Sequence, residues 1–453
     1  MLVPFSSDNQ MTDIWFLFGY FILIAAAGTL LLSLPAATRS GESIPLVDAV
    51  FTSVSAVCVT GLITIPTSHF SFFGQTTIML LIQLGGLGII SFSTVLIILP
   101  GLKISLTRLK FVNNYYLSEI EHNPRRIVRA IILGTLTLQT VGTALLYWRF
   151  SAHGMPHPFF SALFHTVSAF CNAGFSLYDE SLAGFSNSPE VLLFVAVLFI
   201  LGGISFIVIH ETAGRLHAAR RRRYVLSLHS QLVLGTTLML LVLGTISFLV
   251  LEWNYSLSSL TVGDKLANAF FQAATPRTAG FNVLQQSDLQ PPAILVTMVL
   301  MVIGGAPGSI AGGIKVTTFA VMLLVILQGF SNRGNLTIFH REVDSFTIMK
   351  AFSFGVKAMA ILFGAIFMLS ISESSALRAG EISLLEVAFE AVSAFATVGL
   401  SLGITEDLSS SSKIIVIFTM FAGRVGLVSL AIPFFSQKAN DLVRLPHGEV
   451  LLG

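Results

Sequence analysis

Residues 51 to 62 read FTSVSAVCVTGL, and three near copies follow: FHTVSAFCNAGF at 164–175, FFQAATPRTAGF at 270–281 and FEAVSAFATVGL at 389–400. Each begins with a Phe and reaches a Gly ten residues later, pairing Phe51 with Gly61, Phe164 with Gly174, Phe270 with Gly280 and Phe389 with Gly399. The residue five after the Phe is always small: Ala56, Ala169, Thr275 or Ala394. Recurrence about every 110 residues predicts four equivalent walls around one axis.

Composition places those walls in a bilayer. With 54% hydrophobic and only 11% charged residues, a chain of 453 has too little polar surface for a water-soluble globule. Eight apolar runs, near 14–34, 71–99, 127–148, 190–214, 229–252, 292–327, 350–371 and 413–435, approach or exceed the ~20 residues that cross the hydrocarbon. The motif falls after each odd-numbered run, so a unit reads as a span, a short apolar hairpin too brief to cross, and a second span. The predicted fold class is an all-α polytopic membrane protein: four tandem repeats, eight transmembrane helices, in pseudo-four-fold arrangement around a central pore. Repeat 1 covers 1–100 with its hairpin near 47–66, and repeat 2 covers 101–218 with its hairpin near 159–178. Repeat 3 covers 219–345 with its hairpin near 265–284 and a Gly-rich intramembrane stretch at 303–315. Repeat 4 covers 346–453, with its hairpin near 385–402 and a cytoplasmic tail.

Basic residues stay preferentially on the cytoplasmic side. Lys103, Arg108, Lys110, Arg125, Arg126, Arg129, Arg215, Arg220 to Arg223, Arg333, Arg341, Lys350, Lys438 and Arg444 all lie between units or in the tail. Within units and outside the spans stand only Arg39, Arg149, Lys265, Arg277, Arg378 and Lys413. Both termini and the inter-unit loops are therefore expected in the cytoplasm of a plasma-membrane protein, with all hairpins entering from outside. The run Arg220 to Arg223 reads as a topology anchor, with docking of an acidic lipid or a cytoplasmic partner as the alternative. No basic domain stands outside the membrane, which argues against nucleic acid. The first run has no basic residue ahead of it and reads as a retained span rather than a cleaved signal.

A non-helical segment at membrane depth leaves backbone carbonyls that lipid cannot satisfy, so it must be buried in protein or line a wet cavity. Four such segments around one axis make a ring of carbonyls that can replace the water shell of an alkali cation. Gly lets successive carbonyls turn to one side by adopting positive φ. The candidate ion-binding strings are Val59-Thr60-Gly61, Asn172-Ala173-Gly174, Thr278-Ala279-Gly280 and Thr397-Val398-Gly399. They look like eroded copies of the potassium-channel filter sequence Thr-Val-Gly. A lone Gly after a helix is usually a C-cap; four in register favour a filter.

The sixth run carries Gly304, Gly305, Pro307, Gly308, Gly312 and Gly313 in the string IGGAPGSIAGGIK, residues 303–315. So many breakers predict two half-helices joined by an irregular loop facing the aqueous path below the filter, where a gate would sit. The competing reading is a kink for close helix packing. Arg424 interrupts the eighth run at the place that Gly86 and Gly305 hold in units 1 and 3. A central arginine costs ~2.5–3.5 kcal/mol on insertion scales, so it should face the pore or bond the carbonyls of the Gly-rich loop. Lys315, at the end of the loop, is either a second such charge or a side chain snorkelling to the cytoplasm.

Together with AGRVGLVSL at 422–430, these strings resemble membrane subunits of the Trk/Ktr/HKT superfamily of potassium transporters, the bacterial KtrB type most closely. The first repeat begins near residue 14, without the additional helix pair usual in Trk-type subunits. The resemblance implies potassium selectivity, since Gly61 stands where sodium-favouring plant relatives often carry Ser. It also implies a limiting positive charge at Arg424, a homodimer with one pore per subunit, and a separate cytoplasmic nucleotide-binding ring of the KtrA type. Potassium is the expected cargo, with sodium as a possible coupling ion. Sodium-coupled symport and a Trk-type subunit are the alternatives.

Enzyme readings fail on the residues. His210 and Glu211 lie in HETAG, which lacks the second His of a metalloprotease helix, and Gly154 and Pro156 keep His153 and His157 off one helical face. No phosphate loop or dinucleotide fingerprint occurs, so no organic cofactor is expected. His165, Gln272 and Glu390 read as polar anchors beside the repeat Phe, Asp48 and Glu386 as helix caps, and Cys58 and Cys171 as small packing residues.

Overall fold

A computed structural model of the chain describes residues 7–88, 124–206, 208–209, 211–213, 226–329, 336–339 and 341–426. The inter-unit residues Lys103, Arg108, Lys110, Arg215, Arg220 to Arg223 and Arg333, and the tail with Lys438 and Arg444, lie outside them.

The described residues are mostly helical, and one sequence of elements recurs: an outer helix, a short helix, an extended segment and an inner helix. The outer helices are Ser7–Leu32, Pro124–Ala152, Leu228–Glu252 and Ser345–Ser372. The short helices are Leu46–Cys58, Pro158–Phe170, Val262–Ala274 and Leu384–Ala396. The inner helices are Phe72–Gly86, Pro189–Gly203, Pro291–Val302 and Ser410–Phe421, with a second half, Val316–Gln328, in unit 3.

Local chemistry sets where these helices start. Ser71, Ser227, Thr261, Asp344 and Ser409 each accept a hydrogen bond from an amide of the first turn, and Ser383 with Glu386 makes a full capping box. Pro158, Pro189 and Pro291 sit at first helical positions, where a missing N–H costs nothing. The outer helix then fastens its own inner helix. Glu252 Oε1 accepts the Gln290 amide at 2.8 Å, Glu373 Oε1 accepts the Ser409 amide at 2.9 Å, and His153 Nε2 bonds Ser188 Oγ at 3.0 Å.

Each inner helix packs against the short helix of the next unit, and the inner helix of unit 4 packs against the short helix of unit 1. The arrangement is therefore cyclic. Phe51, Phe164, Phe271 and Phe389, one on each short helix, are fully buried. Leu23, Leu30, Leu238, Val250, Phe363, Phe367 and Phe418 point outward, as an apolar solvent requires.

Among the described residues, three helices are long and apolar enough to cross a membrane: Ile131–Ala152, Leu228–Glu252 and Ser345–Ser372. The inner helices are shorter, 12 to 15 residues. Among the described residues, the unit 2 run is interrupted at Gly203 and the unit 3 run at Val302, and in unit 4 the helix passes from Phe421 into a π-turn over Ala422–Gly426; the later parts of the unit 1 and unit 4 runs lie outside the described residues. The all-helical expectation also needs one amendment: Leu336–Ile338 and Arg341–Val343 form a two-stranded antiparallel hairpin, with Leu336 opposite Val343.

Candidate functional site

The extended segment after each short helix bends by the same device. Val59, Asn172, Thr278 and Thr397 have positive φ, as do Gly61, Gly174, Gly280 and Gly399 two residues on. A left-handed residue two before a left-handed Gly is costly for side chains such as Val and Thr, and its appearance in all four units is a shared backbone requirement.

The four glycines meet one another. A methyl built on Gly61 would overlap the Ala173 carbonyl oxygen, one on Gly280 the Val398 oxygen, and one on Gly399 the Thr60 oxygen. On Gly174 it would stand 3.0 Å from Gly280 Cα and 3.1 Å from the Ala279 oxygen. Every Gly thus abuts the carbonyl that precedes the Gly of the next unit, and the series closes on itself. Thr60 Oγ1, Asn172 Oδ1 and Thr397 Oγ1 are buried beside this ring without a hydrogen-bond partner among the described residues.

A hydroxyl at the end of each short helix holds the segment in place. Ser55 Oγ donates to the Leu62 carbonyl at 2.7 Å and accepts the Gly61 amide at 3.1 Å. Ser168 Oγ donates to Phe175 at 2.7 Å, Thr275 Oγ1 to Phe281 at 2.8 Å, and Ser393 Oγ accepts the Gly399 amide at 3.1 Å. Unit 3 differs in register. Its fully buried aromatic is Phe271, with Phe270 only partly buried, and its hydroxyl is Thr275 in place of the residue before. The ten-residue spacing of Phe270 to Gly280 is therefore a coincidence of text; Phe271 is the structural equivalent of Phe51, Phe164 and Phe389. Gln272 then matches Thr52, His165 and Glu390. In units 2, 3 and 4 this position reaches across to the descending segment: His165 Nε2 to Ser176 Oγ at 3.0 Å, Gln272 to Gln286 at 2.8 Å, and Glu390 to Ser401 and Thr405 at 2.8 and 2.6 Å.

The layer next to the ring is asymmetric. In unit 3 the inner helix stops at Val302 and resumes at Val316, and the stretch between folds back on itself. Gly304 N donates to Ile314 O at 2.9 Å, Ile314 N to Val302 O at 3.0 Å and Val316 N to Gly305 O at 3.0 Å. The tip is tied to unit 2, where Gly203 O accepts the Ala306 amide at 3.0 Å and Gly202 O the Ile310 amide at 3.2 Å. The break in the unit 2 inner helix has this physical reason: its freed carbonyls receive amides of the loop. Gly312 lies against Ala396 O and Thr397 Oγ1 of unit 4. Arg424, buried in a π-turn, donates from one guanidinium nitrogen to Ile310 O and from the other to Gly85 O at 3.2 Å. Lys315 turns back to donate to Ala311 O at 2.5 Å.

Comparison with known proteins gives this geometry a family. The model of the TrkH family, described as a cation transport protein, matches residues 6–442. The chain belongs to the TrkH family. Among curated relatives, Ktr system potassium uptake protein B of Bacillus subtilis is 36% identical, over 96% of this chain and 95% of that protein. The protein of the same name from Vibrio alginolyticus is 37% identical, over 96% and 93%. The potassium/sodium uptake protein NtpJ of Enterococcus hirae is 34% identical, over 96% of each. The crystal structure of the potassium transporter TrkH from Vibrio parahaemolyticus superposes with a TM-score of 0.73 at 19% identity, covering 94% of this chain and 84% of that one, which establishes the shared fold.

Within this TrkH-family chain, the sequence-selected glycines and their preceding residues come together in one ring, and Gly304, Gly305, Gly312 and Arg424 come together in the layer beside it. Gly308, with positive φ, lies in the tip of the loop. Two of the charges counted outside the spans make contacts that the count did not show. Arg277 is 9% exposed, and one of its guanidinium nitrogens donates to Gly304 O at 3.2 Å and to Thr237 Oγ1 at 3.5 Å. Lys413 pairs with Asp48 at 2.9 Å, so Asp48 serves an ion pair rather than a side-chain cap. The signal for Arg277 was present in the sequence: unit 3 alone breaks the Ser-Ala pattern with Thr-Pro-Arg. Cys58 and Cys171 are buried and free, and the described residues hold no cluster of metal-ligating side chains.

Proposed function

We propose that this chain is the potassium-translocating subunit of a Ktr-type uptake system in the plasma membrane. Its selectivity filter is formed by Val59-Thr60-Gly61, Asn172-Ala173-Gly174, Thr278-Ala279-Gly280 and Thr397-Val398-Gly399. The observation that carries this reading is the closed succession in which each of four glycines abuts the carbonyl of the next unit. Carbonyl oxygens so gathered, with the negative ends of four short helices behind them, replace the hydration shell of a potassium ion. The unpartnered Thr60, Asn172 and Thr397 oxygens suit the same cargo. An inward cation gains ~2.3 kcal/mol per 100 mV of inside-negative potential, so no hydrolytic step is needed.

In this reading the four units make eight membrane crossings, with both termini cytoplasmic. The loop over 304–314 with Lys315 and Arg424 is the gate, and opening requires the loop to leave Arg424 and the Gly202 and Gly203 carbonyls. A cytoplasmic nucleotide-binding ring of the KtrA type supplies the control, as the name of the Ktr relatives supports, and the subunit acts as a homodimer. NtpJ, a potassium/sodium uptake protein by name, favours a second reading in which sodium drives potassium through the same path.

Flux into liposomes holding the purified chain tests this. Potassium should be preferred over sodium, Gly280→Ser should erase the preference, and Arg424→Ala should raise flux without erasing it. Parental selectivity in Gly280→Ser would end the filter assignment, and potassium flux that vanishes without a sodium gradient would select the coupled reading.

A further inference from the structure

Three inner helices rest directly on the end of their own short helix. Methyl groups on Gly85, Gly202 and Gly423 would overlap the carbonyls of Val57, Phe170 and Phe395, each four residues before the ring Gly of its unit. Backbone therefore touches backbone, and ring and inner helix are a single packed body in units 1, 2 and 4. Among the described residues, unit 3 shows no such contact. Its Gly304 lies against Gly312 of its own loop, and the short helix ends early, at Ala274. Thr275 stands five residues before its Gly where Ser55, Ser168 and Ser393 stand six before theirs, and within this shorter segment the Arg277 guanidinium spans the gap to Gly304 O and Thr237 Oγ1.

We infer that Arg277 is a strut between the ring and the Gly-rich loop, a positioning residue that couples ion preference to gating in unit 3. The inference rests on the pore reading above. Its target is specific. Gly304 belongs to the base of the loop, where the Gly304–Ile314 and Val316–Gly305 bonds close the fold-back, whereas Arg424 holds Ile310 at the tip. The two arginines thus divide the loop between them. Release from Arg424 and from the Gly202 and Gly203 carbonyls frees the tip while the base stays attached, through Arg277, to the segment that carries Thr278 and Gly280. A side-chain link of one guanidinium nitrogen to two acceptors can lengthen or break without moving a helix, which a backbone contact cannot. Arg277 Nε has no partner among the described residues, so the guanidinium is held only at its far end. Among the described residues, unit 3 alone has this breakable link.

The test compares Arg277→Gln, Arg277→Lys, Thr237→Val and Arg424→Ala in the full chain. One readout is potassium and sodium flux in liposomes. The other, which needs no open gate, is the thermal stabilisation of detergent-solubilised protein by potassium chloride relative to sodium chloride. Arg277→Gln should raise flux and lower the potassium preference, each by about ten-fold, the order expected for losing a buried charged hydrogen bond. Arg424→Ala should raise flux and leave the preference intact. Arg277→Gln with an unchanged potassium preference in both readouts would overturn the strut, whatever its flux. If Arg277→Gln does not fold, Arg277→Lys and Thr237→Val decide. Both should shift flux and preference in the same direction by less, and parental values in both would overturn the inference. Failure of the pore reading looks different: the parent would show no potassium preference in either readout, and Gly280→Ser would match it.

Discussion

The Gly ring and the layer beside it are built from the same four units, yet one is nearly symmetric and the other is not. In the ring, all four units repeat a positive φ two residues before the Gly, a positive φ at the Gly, and a hydroxyl that ties the segment to its short helix. In the adjoining layer the corresponding places hold Gly86, Gly203, Gly305 and Arg424, and unit 3 inserts a folded-back loop that touches every other unit directly or through Arg424. On the proposed pore reading, a site that must surround a spherical ion equally gains from four copies of one geometry. A barrier that must open needs only one element able to move, with the others holding still. Divergence of one unit within a repeat is therefore expected where passage is controlled rather than where the ion is recognised.

The strongest way to break this contrast is to crowd the ring. Gly61→Ala, Gly280→Ala and Gly399→Ala each force a methyl into a neighbouring carbonyl, at positive φ as well. Each should cost more than ~2 kcal/mol, the combined scale of left-handed strain and overpacking. Gly174→Ala should cost least, because its nearest neighbours stand at 3.0 and 3.1 Å. Thermal unfolding and potassium flux of the four variants check the order. Equal effects at all four sites would mean that the ring is less closely packed than these contacts require.

Much of this was legible in the sequence. The hydrophobic runs, the four Gly strings and the helix-breaking stretch at 303–315 announce themselves through composition and repetition, because bilayer and backbone constraints act on residue types directly. Other features were easy to misread. Phe270 occupies the expected text position while Phe271 is the buried residue, since spacing alone cannot distinguish a one-residue shift compensated by one residue fewer before the Gly. Arg277 read as an exterior charge because a hydropathy pattern records where a residue attaches and not where a long side chain ends. The interruption of the unit 2 inner helix was also unreadable: Gly202 and Gly203 look like ordinary packing glycines until the Ala306 and Ile310 amides are seen to need their carbonyls.

A gentler probe acts on the fastening rather than on the ring. Ser55 makes two hydrogen bonds to its segment and Ser168 makes one. Ser55→Ala should destabilise by about 2 kcal/mol and Ser168→Ala by about 1 kcal/mol, since a buried carbonyl or amide is left unpaired in each case. If the ring behaves as one unit, both variants should lower potassium preference in proportion to the stability lost. A selectivity loss confined to one of them would show that the four walls are not energetically equivalent despite their shared backbone.

The smallest effect is expected where the circle closes. Three seams join units that are also neighbours in the chain, but units 4 and 1 meet across 365 residues of sequence. Their seam combines inner helix on short helix, the Arg424 bond to Gly85 O, and the Lys413–Asp48 ion pair, whose side chains are 13% and 14% exposed. Because both charges sit near the ends of their helices, beside water, the pair should contribute about 1 kcal/mol rather than the larger cost of stranding a deeply buried charge. Lys413→Met and Asp48→Asn should each lose about that much, and the double variant about the same as either alone, a coupling that thermal unfolding across the cycle would measure. Strict additivity would assign closure to helix packing and Arg424 alone, and would make the asymmetric layer, rather than the outer rim, what holds the fourth unit to the first.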